Sequence, residues 1–109
     1  MPATVVGSLQ ALLGGVPGDA SCPWSALHHI GAGRFQRTFA IPLAGRFGFT
    51  IASGGTMTDL TNRGGLAGAA PFALRIARPG DLVRIGFDYG TRAVSAIDPE
   101  SGADLLESA

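Results

Sequence analysis

An all-β sandwich of about seven or eight short antiparallel strands in Greek-key order is the fold class that the sequence predicts. Three observations lead to it: apolar residues alternate with polar ones in several short runs, Gly- and Pro-rich turns separate those runs, and helical periodicity is nearly absent. The alternation is clearest from Arg34 to Ser53, where Phe35, Phe39, Ile41, Leu43, Phe47, Phe49 and Ile51 all fall on odd positions. Four of the six phenylalanines lie in this stretch. Side chains alternate between the two faces of a strand, so these residues share an apolar face while Gln36, Thr38, Ala40, Arg46, Gly48 and Thr50 form a polar one. The stretch reads as a hairpin of two antiparallel strands with a tight turn at Pro42-Leu43-Ala44-Gly45.

The remaining elements follow in order. Thr4 to Ser8 carries β-branched residues and predicts a first strand. Ser8 to Leu13 predicts one helical turn, with Ser8 as its cap and Gly14-Gly15 as its stop. Val16 to Pro23 is loop, Trp24 to Ile30 a short strand, and Gly31-Ala32-Gly33 a turn. Gly54 to Pro71 is long for a loop in a compact domain, which suggests a hidden strand over Thr56 to Leu60. Phe72 to Ala77 and Leu82 to Tyr89 alternate again, with Val83, Ile85, Phe87 and Tyr89 on one face; Arg78-Pro79-Gly80-Asp81 turns between them. Ala93 to Ile97 is the last strand, and Ala103 to Ala109 is a tail or a final helical turn.

Composition bounds the function. The 109 residues suffice for one domain, and 46% apolar with 15% charged residues is the balance of a globular chain with a real core. Eight basic residues against eight acidic ones leave no basic field, so nucleic acid is not an expected partner. No run approaches the roughly 20 apolar residues of a membrane-spanning helix, and no signal peptide is recognisable at the start, so the expected location is cytoplasmic. Cys22 is the only cysteine, which precludes an intrachain disulfide and a thiolate cluster. His28 and His29 are adjacent, so on a strand they point to opposite faces and do not share a metal readily. The carboxylates form no recognisable acid-base pair. Neither an enzyme nor a cofactor is expected.

The order of several motifs carries a family resemblance. Val5-Val6-Gly7-Ser8-Leu9-Gln10, Gly18-Asp19, Trp24, Gly33-Arg34-Phe35-Gln36-Arg37-Thr38-Phe39, Leu43 through Ala52, Gly54-Gly55-Thr56 and Phe87-Asp88-Tyr89-Gly90-Thr91 together resemble the small sandwich module beside the catalytic domains of bacterial pullulanases. They also resemble a domain of SusE-type outer-membrane starch-utilisation proteins. The similarity runs from Val5 to Ile97. It implies an immunoglobulin-like sandwich acting as a non-catalytic accessory module on an α-glucan, starch or glycogen. Met57 stands where the family commonly has Trp, and Thr50 where it has Lys, so the sugar site is expected to be degenerate.

Against that background the expected carbohydrate contacts are Trp24, Met57, Asp59, Asn62 and Arg63. Trp24 reads either as a lid over one end of the core or as a stacking platform for a pyranose. Asp59, Asn62 and Arg63 lie in the most polar stretch and have the donors and acceptors to meet sugar hydroxyls. Gly64-Gly65 beside Arg63 reads alternatively as a backbone nest for an anion such as a nucleotide phosphate. A further alternative keeps the sandwich without sugar binding, as an interaction or homodimer domain that pairs through faces or edge strands.

Overall fold

The computed structural model describes residues 3–62 and 70–107. Its elements are β1 (Ala3–Val6), α1 (Ser8–Leu12), β2 (His28–Gly31), β3 (Arg34–Ala40), β4 (Gly45–Ser53), β5 (Asp59–Thr61), β6 (Phe72–Ile76), β7 (Leu82–Asp88) and β8 (Ala93–Ile97). Two antiparallel sheets face each other. In one, β4 runs between β1 and β5 and also pairs with β6; the other has the order β2-β3-β7-β8. The all-β sandwich expected from the alternation is present, with a single short helix among the described residues.

The central stretch is not a hairpin. β3 pairs with β2 and β7, while β4 pairs with β1, β5 and β6, so the two consecutive strands belong to opposite sheets. The chain crosses between them at Ile41, which is fully buried and bonded into the neighbouring turn: its N–H donates to Asp81 O at 3.0 Å and its carbonyl accepts from Gly80 N at 2.7 Å. The alternation placed most of its residues inward, the exceptions being Leu43, which is exposed in the turn, and Phe47, which is half-buried. Phe35, Phe39, Ile41, Phe49 and Ile51 are all buried, but they meet across the sandwich and not side by side. Alternation fixes which face a residue takes and carries no information about which strand lies beside it.

Other elements shift from the expected ones for local reasons. Ser8 is not the helix cap. Gly7 holds that position at φ 124°, where a Cβ would come within 2.9 Å of Gly48 O, so the close approach of backbones needs glycine. Ser8 instead bonds β4, its Oγ accepting from Gly48 N at 2.9 Å. The helix stops as expected at Gly14 and Gly15, with Gly15 N donating to Gln10 O at 3.0 Å. The expected strand from Trp24 to Ile30 is divided. Val5 N donates to Ser25 O at 2.9 Å and Leu27 N to Ala3 O at 2.8 Å, so residues 25–27 lie along β1 in one sheet before β2 joins the other. The hidden strand in the long loop exists, displaced to Asp59–Thr61.

The C-terminal segment is neither a loose tail nor a helical turn. Leu105 N donates to Ala96 O at 2.8 Å and Glu107 N to Ala73 O at 2.8 Å, so residues 104–107 close the gap between β8 of one sheet and β6 of the other. Glu107 also lies between Arg46 and Arg75, at 2.7 and 3.4 Å. Those arginines are direct cross-strand neighbours, and the carboxylate offsets their repulsion.

Phe49 sits at the centre of the core, fully buried and stacked on Phe72 with centroids 5.4 Å apart. Phe49→Ala is expected to lower the unfolding free energy by about 3–5 kcal/mol. Chemical denaturation checks it, and an unchanged midpoint would refute the inward placement.

Candidate functional site

Asp59 opens β5 opposite Ser53 and projects toward the turn after β7. That turn is shaped by Asp88, whose Oδ1 accepts from Gly90 N at 2.9 Å and Thr91 N at 3.3 Å. Arg92 closes it, donating its backbone N–H to Asp88 O at 2.7 Å in a left-handed conformation, φ 62°. This is an unfavourable backbone region for a side chain of this size, costing on the order of 1–3 kcal/mol. It is held because the guanidinium forks onto Asp59: Nη1 donates to Oδ1 at 3.0 Å and Nη2 to Oδ2 at 3.3 Å. Nη1 also donates to Thr61 Oγ1 at 3.1 Å.

Tyr89 completes the cluster. Its hydroxyl donates to Asp59 Oδ2 at 3.3 Å, and Arg92 Cζ lies 4.2 Å from its ring centroid, a cation–π contact. The half-buried ring packs edge-on against Phe87. Together with His29, Gly33 and Phe35 it lines a depression of about 220 Å³ at this end of the sandwich. His29 is exposed, with its ring 5.0 Å from that of Phe35. Tyr89 joins the two features, its ring lining the depression and its hydroxyl bonded to the ion pair.

Of the residues expected to touch sugar, the structure sets Asp59 in this cluster. Met57 lies two residues before it in an exposed turn and is itself 45% exposed. Asn62 is buried, with its Oδ1 accepting from Thr50 Oγ1, so its side chain serves packing between β4 and the end of β5. Arg63 and the Gly64-Gly65 nest lie outside the described residues. Trp24 stands on the other side of the sheet, with β1 and β4 between it and β5; its indole is beside Gly14. It is 60% exposed, which overturns its reading as a lid over the core.

Tyr89, Arg92 and His29 were not legible as one site. Asp59 and Arg92 are thirty-three positions apart, on elements of different sheets, and neither spacing nor periodicity links them. The available signal was the turn Tyr89-Gly90-Thr91-Arg92 facing the polar loop that holds Asp59. Among the described residues there is no group of three His, Cys, Asp or Glu side chains that could hold a metal, and no helix is long and apolar enough to cross a membrane.

The fold and this end cluster define a small all-β sandwich module. Among solved structures, the pullulanase from Bacillus acidopullulyticus contains a segment that superposes on it with a TM-score of 0.73 over 87% of the chain, at 22% identity. The chain spans 11% of that enzyme's length. No protein-family model and no curated protein matches the sequence.

The Arg92 fork holds the Asp59 carboxyl below the ordinary carboxylate value of 3.8, with help from the Tyr89 hydroxyl and against partial desolvation. A carboxylate with a depressed folded-state pKa contributes stability that is present above its unfolded value and lost as pH falls through the folded one. The difference in denaturation midpoint between the native chain and Asp59→Asn is therefore expected to hold steady at neutral pH and to shrink only below about pH 4. A difference that shrinks between pH 8 and pH 5 would contradict the assignment.

Proposed function

We propose that the chain is a non-catalytic accessory module of α-glucan-binding type, acting on starch or glycogen. The observation that carries this reading is the superposition on a segment of a pullulanase, in agreement with the order of sequence motifs that resembles the sandwich module of such enzymes. The end cluster supports it chemically. Tyr89 and His29 offer apolar ring surface, and Asp59 and Arg92 supply the acceptor and donors for hydroxyls, with Met57 exposed in the turn before Asp59 where the family commonly has Trp. The smaller aromatic surface makes the affinity weak. Affinity electrophoresis in glycogen or starch gels tests the reading: the native chain is expected to be retarded, His29→Ala and Met57→Ala to be retarded less, and Trp24→Ala to behave as the native chain. Unretarded migration of the native chain at high polysaccharide concentration would overturn it.

One observation favours a second reading, self-association through an edge. β2 (His-His-Ile-Gly) is exposed at every position, bears no Lys, Asp or Glu, and carries Ile30 at 56% exposure on the free side of its sheet. Edge strands that must stay unpaired are commonly protected by charge or proline. On this reading sedimentation equilibrium gives a dimer that Ile30→Lys dissociates, whereas a monomer across a wide concentration range removes it.

A further inference from the structure

The outer face of the β2-β3-β7-β8 sheet carries a second polar surface, separate from the end cluster. Three cross-strand rows build it. Arg34 lies opposite Asp88, Gln36 opposite Gly86 with Ser95 beyond it, and Thr38 opposite Arg84. The central row is low because Gly86 has no side chain, and Ser95 leans over it: a Cβ on Gly86 would lie 2.8 Å from Ser95 Oγ. The result is a cleft of about 280 Å³ with Ile30 as its apolar wall.

The arginines distinguish this cleft. Arg46, Arg75, Arg78 and Arg92 each pair with a carboxylate, and Arg37 donates to the carbonyls of Pro23 and Ala26. Among the described residues, Arg34 and Arg84 alone have neither kind of partner, and both are on this face. Arg84 Nε is moreover buried without a hydrogen bond. Asp88 does not satisfy Arg34, since no ion pair joins them and its Oδ1 is turned to the amides of Gly90 and Thr91. Arg34 thus lines the cleft with a guanidinium free of an ion pair, with the Asp88 carboxylate also in the wall, while Arg84 lies one row beyond the lining on the same face. Their register positions are four residues apart along the strands, about 13 Å at ~3.3 Å per residue, so Arg84 adds positive charge beside the cleft and Arg34 is the guanidinium within it.

We propose that this cleft binds an anionic saccharide, with the sugar ring over Gly86 and its carboxylate or phosphate taken by Arg34. Gln36 and Ser95 meet the hydroxyls, and Ile30 covers an apolar edge of the ring. A forked guanidinium supplies paired donors matched to either anionic group. The site does not depend on the starch reading, and its contacts are not those of the Asp59 cluster.

Amide chemical-shift titrations of the whole chain test it, with glucuronate, glucose 6-phosphate, inorganic phosphate and maltotriose as probes. Saturable shifts at Gly86, Ser95 and Gln36 with glucuronate or glucose 6-phosphate, weakening as salt is added, are the expected result. A preference between those two identifies the anionic group. Arg34→Gln removes an exposed side chain, leaves the core untouched and is expected to weaken binding roughly tenfold; Gly86→Ala fills the floor and is expected to abolish it. Maltotriose binding as well as glucuronate would show that charge is irrelevant and overturn the proposal. So would inorganic phosphate binding as tightly as the sugar phosphate, or the absence of shifts at Gly86 with every probe.

Discussion

Ile41 is where the chain leaves one sheet for the other, and most of the architecture follows from that crossing. It is fully buried and its backbone is tied to Gly80 and Asp81, so the position of the crossover is fixed by hydrogen bonds as well as by packing. Once β3 and β4 belong to different sheets, Phe35 and Phe39 face the opposing layer that contains Phe49 and Ile51. β4 then has to organise its own sheet: its first half pairs with β6 and its second half with β1 and β5. Each buried aromatic or branched side chain is worth about 1.5–3 kcal/mol, and this gain is realised only if the crossover brings the two inner faces together.

A second constraint anchors the N-terminal third. The Gln10 side chain is fully buried, and its amide is satisfied on every side. Nε2 donates to Asp19 O at 2.7 Å and to Ser25 Oγ at 3.2 Å, while Oε1 accepts from Gly7 N at 3.0 Å and Gly18 N at 2.7 Å. Two donors and two acceptor positions are all that an amide offers. One side chain therefore joins the helix, the following loop and the segment that runs along β1. It is also why Trp24, next to Ser25, is held against the helix end and not over the core.

The sequence made inward faces legible and left neighbours illegible. Val83, Ile85 and Phe87 are buried as their alternation requires, and β7, β8 and the turn at Arg78 to Asp81 fall where turn residues and period place them. The hairpin failed because a period of two is equally satisfied by side-by-side pairing and by face-to-face packing. The C-terminal segment failed for a different reason: its structure comes from single bridges to β6 and β8, which are long-range bonds with no local pattern. At the candidate site, Asp59 was legible from the polarity of its surroundings. Arg92 was not, because its role depends on a left-handed backbone held by long-range contacts with Asp59 and Thr61 as well as by the turn.

How the carboxylates are used bears on what kind of function this molecule has. Asp59 is forked by Arg92; Asp81 accepts from the amide of Arg78; Asp88 and Asp98 accept from the turn amides that follow them; and Asp104 accepts from Leu106. Glu107 is shared between two arginines. A general acid or base needs a proton near its operating pH and freedom to deliver it. The oxygens of these groups are occupied by the contacts named, and at Asp59 and Asp98 the pKa is held below the ordinary value by those hydrogen bonds. The groups that line the two depressions are of another kind, namely the Arg34 guanidinium, the Gln36 amide and the Ser95 hydroxyl of the outer cleft, and the rings of His29 and Tyr89 at the end depression. The carboxylates so engaged serve the turns and the strand edges, and the donors and ring surface at the two depressions are the groups on which the binding readings draw.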